Sequence, residues 1–172
     1  MIVYDTHFNL NEWFNVILFT AGYGFLFLTH RRFPPKHTLV YVLYGIAAVT
    51  LFDHTLSVAP FDFYDVNDTS RFQWMDFLNY LGFGPISYLY VFLFERFLGE
   101  SCGLLAFYIL AWSLIGVAME ILGLSIGLYH HKNGYTPAYS FSIYLATQSV
   151  CLLLFYYLQN DRRKTDKSPN AL

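Results

Sequence analysis

The sequence predicts an all-α integral membrane protein, a bundle of five transmembrane helices. Apolar residues make up 56% of the 172-residue chain and charged residues only 13%, whereas soluble domains carry about 25% charged residues. Five apolar stretches, each close to or above the length needed to cross a bilayer, are separated by polar turns. Lysine and arginine are abundant on one side of the resulting bundle and scarce on the other, as in multi-pass proteins.

Prolines and charged residues bound the five spans. The spans cover about residues 13–30, 38–59, 75–95, 103–128 and 138–159. Pro34 and Pro35 separate the first two spans because two prolines cannot continue a helix. Pro60 ends the second span. Residues 1–159 are therefore predicted to form one membrane domain, and the charged tail at 160–172 has a composition that predicts disorder.

The distribution of basic residues predicts the orientation. One side of the membrane receives eight of them: Arg31, Arg32, Lys36, Arg96, Arg162, Arg163, Lys164 and Lys167. The other side receives two, Arg71 and Lys132. By the positive-inside rule, the amino terminus lies outside and the carboxyl-terminal tail in the cytoplasm.

In the middle three spans, every buried acid is predicted to lie in the outer half of the bundle. Asp53 and His54 lie roughly 9 Å, and Glu120 roughly 12 Å, below the outer ends of their spans at 1.5 Å per residue. Asp76 lies at the outer mouth of the third span. Such groups are costly in lipid and usually serve a function. The sequence therefore predicts an outward-facing polar pocket that contains these four residues, the candidates for ligand or proton binding.

Helical spacing turns the two buried acids toward the bundle interior. One face of the fourth span carries Gly116, Glu120, Gly123 and Gly127, all within about 60° at 100° per residue. Small residues mark the face along which membrane helices approach one another. The three glycines of this face are also a candidate surface for homo-oligomerisation. Asp53 shares its face of the second span with Thr50 and Ser57 by the same spacing.

Three interpretations of the pocket stay open. The favoured one is a structural or interaction role, since polar pairs between helices stabilise membrane bundles. The second is a small transporter or a site for a ligand, an ion or a proton. The third is metal-dependent chemistry within the membrane, with His54, Glu120, His130 and His131 as candidate ligands. No complete catalytic motif is present, so the sequence favours a protein without enzymatic activity and predicts no cofactor.

The loop between the second and third spans is acidic, with Asp62, Asp65 and Asp68. It lacks the spacing, the glycine and the distal glutamate of an EF-hand loop. We expect a solvated acidic loop, and calcium binding is the alternative.

Aromatic residues near the span ends are predicted to form interface belts. The outer belt contains Trp13, Trp74, Tyr129, Tyr135 and Tyr139, and the inner belt contains Tyr156 and Tyr157. The bilayer is the expected partner. A nucleic-acid partner is not expected, because a net charge of −2 provides no basic face to neutralise phosphates.

Two further segments carry a resemblance. Trp74-Met75-Asp76-Phe77 follows the acidic loop and precedes Gly84-Pro85, and Asn133-Gly134-Tyr135 leads into Tyr139-Ser140-Phe141-Ser142-Ile143-Tyr144. Together these segments resemble an uncharacterised family of small multi-pass membrane proteins of bacilli and clostridia. The resemblance covers most of the chain from about Asp53 onward, and the first span contributes no motif. It implies a multi-pass architecture in a bacterial plasma membrane and no established activity.

Overall fold

The structure, a computed structural model, describes residues 2–99 and 102–167. Within these ranges it describes the side chains as far as Asp161, except that of Cys102. Five helices follow in order: α1 (Leu10–Thr29), α2 (Pro35–Leu56), α3 (Trp74–Phe97), α4 (Leu105–Ser125) and α5 (Pro137–Lys167). Short 3-10 helices, His30–Arg32 and Cys102–Leu104, precede α2 and α4. Each of the five long helices is long and apolar enough to cross a membrane. The predicted helical architecture is confirmed at this level.

Local capping sets where the helices begin. The Asn11 backbone N–H donates to Asn9 Oδ1 at 3.1 Å, and the Asn9 N–H donates to Glu12 Oε2 at 2.7 Å. This capping box satisfies amide groups that the first turn would otherwise leave without partners, so α1 begins before the predicted span. Pro35 and Pro137 begin α2 and α5, where the fixed φ of proline is preorganised for a first helical residue.

The far end of α5 differs from the sequence prediction. The sequence predicts disorder from Asn160 onward, but α5 continues to Lys167. Residues 168–172 of the predicted tail lie outside the described residues. The sequence gives no signal that the helix ends at Asn160, because no proline or glycine occurs between this residue and Pro169.

Helix α3 packs against both α1 and α2 through glycines. A Cβ atom at Gly82 would lie 3.2 Å from the Leu18 side chain of α1. A Cβ atom at Gly84 would lie 2.9 Å from Val42 of α2. Gly45 of α2 lies directly against the α3 backbone at Phe83. Small residues at these crossings let the three helices approach closely, as is common in membrane bundles.

Helices α4 and α5 form a second pair, which joins the first three helices mainly at one end of the bundle. There an aromatic core contains Phe33, Tyr41, Tyr88, Phe94 and Phe155. Tyrosine hydroxyls reach backbone carbonyls of other helices: Tyr44 donates to the Thr147 oxygen at 2.6 Å, and Tyr108 donates to the Tyr90 oxygen at 2.6 Å. These bonds satisfy the polar tips of otherwise apolar side chains.

A small antiparallel sheet closes the opposite end of the bundle, here called the sheet end. Strand β1 (Tyr64–Val66) follows α2, and strand β2 (Tyr129–His131) follows α4. Tyr64 pairs with His131 and Val66 pairs with Tyr129. The sequence predicts only loops here, because three-residue strands are too short to show a period of two and their partners are far apart in the chain.

The amino-terminal segment covers the sheet end. Val3 forms a bridge with Thr69, the Tyr4 N–H donates to the Asp68 carbonyl at 2.7 Å, and the Ser70 N–H donates to the Ile2 carbonyl at 3.1 Å. The loop after α2 is thus ordered by two distant parts of the chain, the amino terminus and β2.

Candidate functional site

A cavity of about 480 Å³ lies between the α1–α3 group and the α4–α5 pair. Its wall is largely apolar, and polar groups gather toward the sheet end. The polar residues of that end are Asp53, Tyr64, Asn79, Tyr80, Glu120, Tyr129, His131, Tyr135, Ser140 and Tyr144. The lone acids of α2 and α4, Asp53 and Glu120, therefore line one cavity, which is the arrangement that helical spacing predicts. That they bind a ligand stays a prediction.

Asp53 lies near the end of α2, and the Tyr80 hydroxyl of α3 donates to its Oδ2 atom. Ser57 Oγ donates to the Asp53 backbone carbonyl, one turn along the same helix. The carboxyl is thus held by α3.

Glu120 of α4 is 5% exposed and has three partners. Ser140 Oγ donates to Oε1 at 2.8 Å and the Tyr144 hydroxyl donates to Oε2 at 2.9 Å, both from α5. His131 Nε2 of β2 lies 3.0 Å from Oε1. The spacing of Ser140 and Tyr144 places both on one face of α5, toward this carboxyl.

Tyr129 and Asn79 line the same cavity as the two acids. Burial raises the pKa of the Tyr129 phenol, and the Glu120 and Asp53 carboxylates raise it further. The Tyr129 hydroxyl therefore interacts electrostatically with both acids. Asn79 of α3 also lines the cavity. The Asn79 side chain is 2% exposed, and its Oδ1 atom has no hydrogen-bond partner although it is buried in the cavity wall.

The sheet supplies one wall of the polar end. Tyr64, Val66, Tyr129 and His131 all line the cavity, while Asp65 and His130, the residues between them, do not. Side chains alternate between the two faces of a strand, so every second residue faces inward. Burial raises the pKa of the Tyr64 phenol, and the Asp53 carboxylate adds to that increase.

Two predicted members of the pocket lie elsewhere. His54 is exposed on α2 with Nδ1 3.0 Å from the Thr50 carbonyl oxygen, because a residue adjacent to Asp53 points about 100° away from it. Asp76 caps α3: its Oδ2 accepts from the Gln73 N–H at 2.6 Å, and its Oδ1 accepts from Asn67 Nδ2 at 2.6 Å. Neither His54 nor Asp76 lines the cavity that Asp53 and Glu120 share, and ligand or proton binding by them stays a prediction.

The four candidate metal ligands do not lie together. His131 contacts Glu120, but His54 is exposed and His130 stacks on Tyr4 with ring centroids 3.6 Å apart. Within residues 2–99 and 102–167 the structure contains no group of three or more histidine, cysteine or acidic residues placed to hold a metal ion.

The acidic loop is only partly solvated: the Asp62 side chain is 50% exposed, whereas Asp65 is buried. Lys132 Nζ donates to Asp62 Oδ1 at 2.5 Å and to Asp65 Oδ1 at 2.9 Å. The Tyr4 hydroxyl donates to Asp65 Oδ2 at 2.7 Å. Asp68 accepts from Asn11 Nδ2 at 2.7 Å. The three acids therefore have different partners and tie the loop to β2 and to the amino-terminal segment.

The glycine face of α4 is used within the chain. A Cβ atom at Gly116 would lie 3.0 Å from the Tyr144 ring, and one at Gly123 would lie 2.7 Å from the Tyr129 ring. Gly127 lies beyond the helix with a φ of 78°. The chain's own tyrosines thus lie against two of the three glycines of this face. Homo-oligomerisation through the face stays a prediction.

Aromatic belts are only partly as predicted. Trp13, Trp74, Tyr139 and Tyr157 are exposed, as belt residues would be. Tyr129 and Tyr135 instead line the cavity, because the strand and the turn that carry them fold over the end of the bundle.

Several residues of the site were not predicted from the sequence. These are Tyr64, Asn79, Tyr80, Tyr129, Tyr135, Ser140 and Tyr144. Tyrosine is so frequent in this chain, with 15 residues, that no single tyrosine is conspicuous. Asn79 carried a signal, an amide within an apolar span, that could have identified it.

The fold and the site define a class of protein: a bundle of five apolar helices with a polar-ended cavity between them. Comparison with known proteins finds no family model that matches the chain, and no curated protein or solved structure similar to it.

Proposed function

We propose that the chain is a multi-pass protein of a bacterial plasma membrane, with the sheet end outside and the carboxyl terminus in the cytoplasm. Large apolar side chains are exposed along α1 and α4, among them Ile17, Phe27, Phe107, Leu114 and Ile121. An exposed apolar surface of this extent is unusual in soluble monomers. The excess of basic residues at the end opposite the sheet supports the orientation.

Reporter fusions test the orientation. A fusion after Lys164 is expected to report a cytoplasmic carboxyl terminus, and a fusion after Lys132 is expected to report an extracytoplasmic loop. The reverse pattern would contradict the proposed orientation.

We propose further that the cavity binds a small amphiphilic ligand within the outer half of the membrane. The observation that carries this function is that the lone acids of α2 and α4 line one cavity, which is otherwise mostly apolar. Cavities that combine an apolar wall with a few convergent polar groups are typical ligand sites. The buried Asn79 Oδ1 atom supports the same proposal, since a bound ligand would supply its missing partner.

A matched pair of variants tests occupancy of the cavity. Ala48 lines the cavity, whereas its neighbour Ala47 is exposed on the outer face of α2. Native mass spectrometry of protein released from its own membranes is expected to show a bound small molecule in the wild type and in Ala47→Leu, and less in Ala48→Leu. Equal occupancy in both variants, or none in the wild type, would count against a cavity ligand.

A structural role for the acids is the second candidate, and the completeness of their bonding favours it. Both Glu120 oxygens accept hydrogen bonds from α5, and Asp53 is bonded to α3. If the acids only hold the helices together, Asp53→Asn and Glu120→Gln will lower the melting temperature in detergent and leave the molecule bound in the cavity unchanged. If they recognise a ligand, occupancy will fall in variants that still fold.

A further inference from the structure

We propose that the ligand is an organic cation, an ammonium group that carries one long apolar substituent. This inference rests on the proposed ligand-binding function and specifies the chemistry of the ligand.

The charges around the polar end favour a cation. Asp53 and Glu120 are both acids, and among the residues that the structure describes His131 is the single basic side chain of the wall. Among the described residues, neither lysine nor arginine lines the cavity. Lys132, the nearest lysine in sequence, is held by Asp62 and Asp65 outside the cavity. A phosphate, sulfate or carboxylate head would therefore meet like charge in a low-dielectric site.

The hydrogen bonds also favour a head group that donates. The Tyr80 and Tyr144 hydroxyls already donate to the two acids, and Tyr135 is bonded to Ser140, which itself donates to Glu120. The buried side-chain atom of the wall that lacks a hydrogen-bond partner is an acceptor, Asn79 Oδ1. An ammonium N–H supplies what this oxygen lacks, whereas an acceptor-only head group does not.

Aromatic rings surround the same region. The Tyr64 ring lies with its centroid 6.4 Å from that of Tyr129 and 5.8 Å from that of Tyr135. Tyr80 and Tyr144 complete the group of tyrosines that line the polar end. Aromatic faces attract ammonium groups, most strongly in sites shielded from water. Acids and tyrosines together form a suitable site for an organic cation.

The rest of the cavity fits an apolar substituent. Along α3 the wall runs from Asn79 to Tyr90, a rise of roughly 17 Å at 1.5 Å per residue. The side chains beyond the polar end include Phe83, Ile86, Trp112, Met119, Ile143 and Cys151. An apolar tail gains little by moving from lipid into an equally apolar cavity. The head group must therefore provide the selectivity, and the charge of the head is the property to test.

Three probes with the same tail separate the effect of charge from that of apolar contact. Decylamine is cationic at neutral pH, decanol is neutral and decanoate is anionic. Trp112 lines the cavity and reports binding by its fluorescence, once the exposed Trp13 and Trp74 are replaced by phenylalanine. The full-length protein is placed in nanodiscs of zwitterionic lipid, and empty nanodiscs correct for partitioning of each probe.

We expect decylamine to change the Trp112 emission saturably and to bind at least tenfold more tightly than decanol or decanoate, about 1.4 kcal/mol. Asp53→Asn and Glu120→Gln should each weaken decylamine binding by tenfold or more. Glu95→Gln is the matched control, since Glu95 is paired with Arg32 at the other end of the bundle. It should keep the wild-type affinity.

The two proposals fail in different ways. If decanol or decanoate binds as tightly as decylamine, the cavity is a ligand site but its ligand is not a cation, and this inference is overturned alone. If none of the three probes changes the Trp112 emission, the ligand-binding function is overturned with it. The comparison of probes uses the protein with both acids intact, so it decides the question even if an acid variant fails to fold.

Discussion

Gly45 of α2 lies against the α3 backbone, and replacing it with alanine tests the packing of the two helices. A Cβ atom there would overlap the Phe83 carbonyl oxygen and would lie 2.8 Å from Ser87 Cβ. The obstructing atom belongs to the backbone, so no side-chain rotation relieves the overlap. The two helices must move apart.

The expected cost follows from two opposing effects. Overpacking a well-packed contact costs about 1–3 kcal/mol, and the upper half of that range applies because the backbone itself must shift. Alanine is a better helix former than glycine by up to about 1 kcal/mol. We expect Gly45→Ala to lower the free energy of unfolding by about 1–2 kcal/mol. Asp53 lies two turns farther along α2, so ligand binding should weaken as well.

Gly24→Ala is the matched control in α1, because a Cβ atom at Gly24 would meet no atom within 4 Å. It should leave stability unchanged or raise it by up to about 1 kcal/mol through helix propensity. Both variants can be compared by equilibrium unfolding in mixed micelles. Equal stability of the two variants would refute the close α2–α3 crossing on which the position of Asp53 depends.

Three further predictions concern the sheet end and the opposite end of the bundle. Asn67→Ala should destabilise the protein by about 2–4 kcal/mol, because it removes a partner of the buried Asp76 and places alanine at a φ of 58°. Asn67→Gly should recover about 1 kcal/mol of this loss in the same unfolding assay. Full recovery in Asn67→Gly would show that the hydrogen bonds contribute nothing. Burial and the bond to an acid raise the pKa of Tyr4 to about 12. Two acidic partners raise the pKa of Lys132, although burial opposes the change. The stabilisation from both groups should be complete below about pH 10 and be lost progressively as the pH rises from about 10 to about 12. Melting temperatures should therefore fall over this range, and less steeply in Tyr4→Phe. Arg32→Ala breaks an exposed ion pair at the far end and should cost less than about 1 kcal/mol by unfolding; a larger loss would mean that this pair is coupled to the core.

The five helices were predictable because span length and apolarity are local properties of the sequence. The inward direction of Asp53 and Glu120 was predictable too, since a period of 3.6 residues relates each acid to the small residues on its face. His54 shows the limit of such reasoning. Proximity in sequence to Asp53 suggested a shared pocket, but adjacent helical residues point in different directions.

The sheet end was not predictable because its contacts join distant parts of the chain. The sequence shows Asp76 only as an acid at the end of a span. In the structure it caps α3, and its second partner, Asn67, belongs to the preceding loop. Nothing in the spacing of Asp62, Asp65 and Asp68 shows that Lys132 neutralises two of them. Pairing over such separations depends on the folded bundle, which brings the two loops together.

The alternation of the sheet explains why two adjacent histidines have different roles. Tyr64, Val66, Tyr129 and His131 face the cavity, while Asp65 and His130 face the amino-terminal segment. A slip of one residue in either strand would exchange the two faces, moving His131 away from Glu120. The contacts on the outer face, Tyr4 with His130 and with Asp65, therefore fix the register that places tyrosines and His131 beside the acids. The polar end of the cavity therefore depends on the sheet and the amino-terminal segment as much as on the helices.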